Sequence, residues 1–223
     1  MDSKVVNKAI ATEIRPILES VGFSAFSART SWRYHADRID VINFQSFNSY
    51  LAGTVGCTTY SFSVNLGCYL FCIADQFPIK QKDGHKRPKE YECHFRGLLT
   101  RSFLQKELKR TDIWFIDHQA RYLTQAMSDV RVQIADVALP WFTRFAELRD
   151  VLHVLEFKEE DMKALWGFGR NPSPVRSLMT GYVARALGDE NRALICLRAA
   201  FESGCFPQLE AALKGNKKTG LPN

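Results

Sequence analysis

The stretch Glu92-Cys93-His94-Phe95-Arg96 sets a carboxylate, an imidazole and a guanidinium at every second position. On a β-strand that spacing puts all three on one face. A carboxylate beside an imidazole is the minimum for general acid–base work, and arginine and amide donors suit phosphate or carboxylate groups. Residues Tyr60–Phe71, YSFSVNLGCYLF, carry the complementary pattern: Tyr60, Phe62, Val64, Leu66, Cys68 and Leu70 alternate with Ser61, Ser63, Asn65 and Gly67. One face of that segment is made for a core, and the other is small and polar.

Aligning the apolar faces of all the strand candidates collects Arg29, Arg33, Asn43, Gln45, Ser61, Ser63, Asn65, Glu92, His94 and Arg96 on the opposite side. Of these, Arg33, Gln45, Asn65, Glu92, His94 and Arg96 are the candidate ligand- or partner-binding residues. Such a face has three readings. It is the solvated side of an antiparallel sheet, a binding surface, or an acid–base site built on Glu92 and His94. No residue is assigned a catalytic role. Alternation sends Cys93 and His94 to opposite faces, which argues against a thiol–imidazole nucleophile pair.

The remaining chemistry-bearing residues have simpler explanations. His35 and His85 fall in turns, where solvent accounts for them, and His118 and His153 fall on helical segments. Asp117 reads as well as a helix N-cap as an acid, and the four tryptophans as core anchors. The six cysteines form no metal-ligand spacing, and no phosphate loop, dinucleotide fingerprint, nucleophile elbow or zincin motif is present. Neither a metal nor a cofactor is expected.

These residues need elements to hold them. Val6, Ile10, Ile14 and Leu18 recur at helical spacing over residues 3–20, with Pro16 placed to bend the last turn and Gly22 to end it. From Phe23 the period becomes two. FSAFSARTSWRYHA, RIDVINFQSF, TTYSFSVNLGCYLFCI and YECHFRGLL read as strands, and TDIWFID as a fifth strand or the approach to a helix. Residues 76–90, with Pro78, Gly84 and Pro88, read as a polar surface loop. Beyond His118 the pattern is helical, with a break or kink at Pro140, a short helix within residues 156–169, and a helical hairpin and a further helix from residue 175 to 213. The expected fold is α+β: an antiparallel sheet of four or five strands with an N-terminal helix, followed by a C-terminal helical portion. The expected division is a sheet domain at 1–118 and a helical portion at 119–223, packed on it.

The 223 residues are 46% hydrophobic and 24% charged, with a formal net charge of +6, the balance of an ordinary globular protein. The basic excess is spread along the chain, so nucleic acid is not an expected partner. The N-terminal residues carry charges throughout and have no signal-peptide core. No stretch reaches the length of a membrane span. The expectation is a cytoplasmic protein with reduced cysteines.

Six stretches taken in order, VGF (21–23), TSWRY (30–34), VINFQ (41–45), FSVNLG (62–67), ECHFRG (92–97) and DIWF (112–115), resemble a bacterial family known as domain of unknown function 4304, over roughly residues 5–145. The resemblance implies an α+β domain and no established activity, and it touches Gln45, Asn65, His94 and Arg96. A place for such families beside toxin or phage-defence genes implies an immunity or inhibitor role. The functional expectation is therefore a non-enzymatic interaction or binding module with another protein as partner. The alternative is a hydrolase or nuclease acting on a phosphate-bearing substrate through the polar sheet face.

Overall fold

The computed structural model describes residues 4–75, 78–157 and 165–214. They fall into two compact units, Met1–Leu70 with Phe77–Thr143 and Phe71–Gln76 with Arg144–Asn223.

The first unit opens with helix α1 (Lys4–Ala9), which runs through a π-helical turn (Ile10–Ile14) into α2 (Arg15–Ser20). Val6, Ile10, Ile14 and Leu18 form its buried stripe, as their spacing requires. The π turn has a local cause. Pro16 has no N–H, and its ring would collide with the carbonyl four residues back in a regular helix. Here Arg15, just before it, donates to the Ile10 carbonyl five residues back. The wider turn makes room for the ring. The same device recurs later in the unit.

The strands follow: β1 (Ala25–Phe26), β2 (Thr30–Tyr34), β3 (Arg38–Ser46), then helix α3 (Ser49–Val55), β4 (Phe62–Leu70), the small hairpin β5 (Gln81–Lys82) and β6 (His85–Lys86), and β7 (Phe95–Leu98). The main sheet has the order β1-β2-β3-β4-β7 and every pairing is antiparallel. The α+β architecture expected from the sequence is present, but its fifth strand has another origin. The first strand candidate divides in two, because the Ser27 hydroxyl accepts from the N–H groups of Arg29 and Thr30 and turns the chain. Residues 111–117 contribute only one bridge, Phe62 to Trp114.

Register sorts the side chains. Phe44, Val64, Leu66, Cys68, Phe95 and Gly97 share one face, which we call the helix face. Against it lie helix α4 (Leu123–Gln133), a second π turn (Ile134–Ala138) and helix α5 (Leu139–Thr143). Leu139 donates to the Ile134 carbonyl five back, immediately before Pro140, so this helix passes its proline unbroken rather than splitting there. Phe142 packs edge-on to Phe23, and Trp114 stacks on Phe62.

The second face carries Trp32, Ile39, Val41, Asn43, Gln45, Ser63, Asn65, Gly67, Tyr69 and Arg96. Residues 78–94, which run from the expected surface loop 76–90 into the expected strand from Tyr91, cross part of it as a strap. Trp32 Nε1 donates to the Pro88 carbonyl at 2.8 Å, the Tyr34 hydroxyl to the Lys86 carbonyl, and Lys86 Nζ to the Tyr69 hydroxyl. Trp32, Ile39, Val41, Tyr69 and Cys93 form a small core beneath it.

In the second unit, α6 (Leu148–Glu156), α7 (Pro174–Ala186), α8 (Glu190–Glu202) and α9 (Leu209–Lys214) are helical. Ser173 and Asp189 cap α7 and α8 through their side-chain oxygens. Leu178, Leu197, Ala200, Phe206 and Leu209 make the core of this hairpin and its follower. The short helix expected within 156–169 and the frayed end beyond 215 lie largely outside the described residues. All six cysteines are free, and no described helix is long and apolar enough to cross a membrane.

Candidate functional site

The strap leaves the outer half of its face uncovered, and the polar side chains concentrate there. Asn65 Nδ2 donates to Gln45 Oε1 at 2.7 Å across β4 and β3. One strand over, the Thr30 hydroxyl donates to Asn43 Oδ1, and Asn43 Nδ2 donates to Glu90 Oε2 at 3.2 Å. Arg96 stands on β7 opposite Gly67. That glycine is needed where it is: a Cβ would lie 2.6 Å from Cys93 Sγ and 3.2 Å from Glu90 Cα. The missing side chain lets the 3-10 turn Glu90–Glu92 rest on the sheet, which brings Glu90 into the field of Arg96.

The electrostatics follow from this packing. Burial pushes the Glu90 carboxyl above the ordinary carboxylate value, and backbone N–H groups and Arg96 pull in the other direction. Burial, with the nearby carboxylates, pushes the Cys93 thiol well up, so it stays a thiol at neutral pH. The Arg96 Nε atom is buried and donates to no acceptor among the described residues.

Of the six residues expected to form one site, Gln45, Asn65 and Arg96 share this face, and Gln45 and Asn65 touch. His94 has the same facing but sits further along the sheet. Its ring lies 4.9 Å from that of Tyr69, and its Nδ1 accepts the N–H of Leu70 at 2.9 Å. Glu92 is not on a strand. Its carboxylate accepts the Lys89 N–H at 2.7 Å and closes the 3-10 turn. The alternation read through YECHFR therefore ends at Phe95. Cys93, expected on the same side as Phe95, enters the core under the strap instead, while Phe95 goes to the helix face.

Arg33 is a correction. It pairs in register with Asp40, which pairs with Cys68, and so it belongs to the helix face. The turn at Ser27 is the physical reason: it couples Phe26 to Ser31 rather than to Trp32, and the facing inferred by counting through the turn is reversed. Arg29, whose carbonyl accepts from Phe44 N–H, is carried the same way.

On that face Arg33 joins a cluster the sequence reading missed. The Asp40 carboxylate is fully buried. Arg33 approaches it at 2.7 and 2.9 Å, His35 Nε2 at 2.8 Å and Arg38 Nε at 3.3 Å. Arg33 also donates to the Val21 carbonyl and lies over the rings of Phe23 and Phe142. His35, expected in solvent, is thus a partner of a buried acid. The available signal was Asp40 itself, a charge inside the apolar run IDVINF, since a buried carboxylate requires cationic or N–H partners. Every oxygen of this carboxylate is engaged, so the cluster fastens the β2–β3 hairpin.

No group of three or more histidine, cysteine, aspartate or glutamate side chains among the described residues could hold a metal ion. Residues 14–144 match the family model of DUF4304, a domain of unknown function. The chain belongs to that family, and the match covers the sheet, the strap and the helices α2 to α5 of the first unit. No curated protein and no solved structure matches the chain.

Proposed function

We propose that this protein is a non-enzymatic binding module of the cytoplasm whose partner is another protein, held on the uncovered half of the strap face. The observation that carries this is the exposed Gln45–Asn65 amide pair beside Asn43, Glu90 and Arg96. Amides can donate and accept, and arginine offers a planar fork of donors; such groups recur in recognition surfaces. The hydrolase alternative needs His94 and Glu92 to act together. His94 instead gives Nδ1 to the Leu70 N–H and Glu92 gives one carboxylate oxygen to the Lys89 N–H in a separate 3-10 turn, and this weighs towards binding.

The test begins with a photo-crosslinking amino acid at Gln45 in the living cell, mass-spectrometric identification of what it captures, and titration of that purified protein. Asn65→Ala and Arg96→Ala should each weaken the complex about tenfold or more, the loss of a contact worth roughly 1.4 kcal/mol, with melting temperatures close to the parent. Unchanged affinity in both variants would defeat the proposal. Hydrolysis of a phosphodiester substrate that His94→Ala abolishes would restore the enzyme.

A further inference from the structure

Among the described residues, the edge of the sheet next to Arg96 is unpaired. Leu99 N–H donates to the Val64 carbonyl at 2.9 Å, and with the register Asn65↔Leu98 and Leu66↔Gly97 this fixes the phase of the β4–β7 ladder. Phe95 and Gly97 turn their N–H and C=O groups towards β4, and Arg96 and Leu98 turn theirs outward. The sheet order ends at β7, and no described residue bonds to the backbone of Arg96 or Leu98. Two donors and two acceptors thus stand in strand geometry along one line. Proteins usually cover or disarm such an edge. This one is half-buried at Arg96 and Leu98 and carries a guanidinium whose buried Nε meets no acceptor among the described residues.

We infer that β7 is a docking edge for an extended, acidic segment of the partner protein, which adds to the sheet as a further strand. This rests on the binding reading above and names how the partner is held. Main-chain bonds to Arg96 and Leu98 supply the attachment, and side chains of the added strand alternate over the two sheet faces. A carboxylate on the strap face then meets the half-buried Arg96, whose positive charge it complements. A second copy of this chain fits less well. Antiparallel self-pairing centred on Gly97 sets Arg96 against Leu98, and a shift to Arg96 against Arg96 sets like charges together. Neither supplies an acid.

The experiment selects a random-peptide display library on the full-length protein and titrates the synthetic winners. Leu98→Pro is the decisive variant: the Leu98 N–H points away from β4, so proline removes an outward donor while leaving the existing ladder in place. Selected peptides should be rich in β-branched residues with at least one Asp or Glu. Binding should fall at least tenfold in Leu98→Pro, and Arg96→Ala should erase the preference for acid. Bound peptide should slow amide exchange at Arg96 and Leu98 in the unaltered protein, a readout that stands even if Leu98→Pro does not fold. Peptides that bind Leu98→Pro as well as the parent, or that protect other amides, would overturn the inference. So would a concentration-dependent dimer dissolved by Leu98→Pro, which would give the edge to a second copy. If Asn65→Ala abolishes capture of the crosslinked partner and Leu98→Pro leaves it intact, the face reading survives and the edge reading fails.

Discussion

His94 is tied to the sheet through its Nδ1. Because Nδ1 accepts the Leu70 N–H, the ring is held as the tautomer protonated on Nε2, which nitrogen-15 correlation spectra of the imidazole should show. Leu70 is fully buried, so His94→Ala strands a donor and should cost about 1–3 kcal/mol in urea unfolding; a loss under about 0.5 kcal/mol would mark His94 as an ordinary surface side chain. Glu90 gives the pH dependence. Its carboxyl is raised by burial, so between the ordinary carboxylate value and the raised one the folded state holds more protons than the unfolded state. Stability is then lost as pH rises through that window. Glutamine keeps an oxygen for Asn43 and carries no charge to desolvate. Glu90→Gln should therefore gain stability relative to the parent on going from about pH 4 to neutrality; denaturation midpoints that move in parallel would contradict this.

Among the elements, those with an uninterrupted rhythm were readable in the sequence. β3 and β4 alternate without a break from Arg38 to Ser46 and from Phe62 to Leu70, which is why Gln45 and Asn65 were correctly brought together. Alternation does not reveal a short turn inside a strand-like run. The Ser27 turn resets the facing downstream and misplaces Arg33, and the Glu90–Glu92 3-10 turn takes Glu92 off the sheet. The strap escaped notice because its composition is polar, although Pro88 is buried and its carbonyl holds Trp32. The prolines were placed correctly as disturbances, but periodicity does not show that a π turn absorbs each one. Gly97 tests the packing of β7 directly. A Cβ there would come within 2.8–3.1 Å of the Trp141 indole, so Gly97→Ala should destabilise by about 1–3 kcal/mol through overpacking. A neutral result in thermal unfolding would mean that the indole moves aside freely.

At the scale of the molecule, a formal charge of +6 does not by itself make a nucleic-acid surface. Many of the arginines are already spent: Arg33 and Arg38 on Asp40, Arg110 on Asp112, Arg121 on Asp117, Arg192 on Glu156, and Arg101 and Arg176 on backbone carbonyls. Phosphate neutralisation needs several free cations on one surface. The purified protein at low-micromolar concentration should not shift DNA or RNA fragments in low salt; retention that fades steeply with added salt would show a basic cluster after all. The family match ends at residue 144, one residue beyond the end of the first unit at Thr143. The helices α6 to α9 thus lie outside the matched region, with a core at Leu178, Leu197 and Phe206.

The strap's hairpin turns at Asp83 and Gly84, both with positive φ and both exposed, a pairing suited to a two-residue turn. Chain can be spliced into such a tip with little effect on what lies below, because the bonds that pin the strap sit lower, at Lys86, Pro88 and Glu90. A cysteine-free version of the protein with one fluorophore grafted between Asp83 and Gly84 would carry its dye above the same sheet face as Gln45 and Asn65. The dye would make the protein its own sensor, reporting by colour or polarisation when something settles alongside the strap.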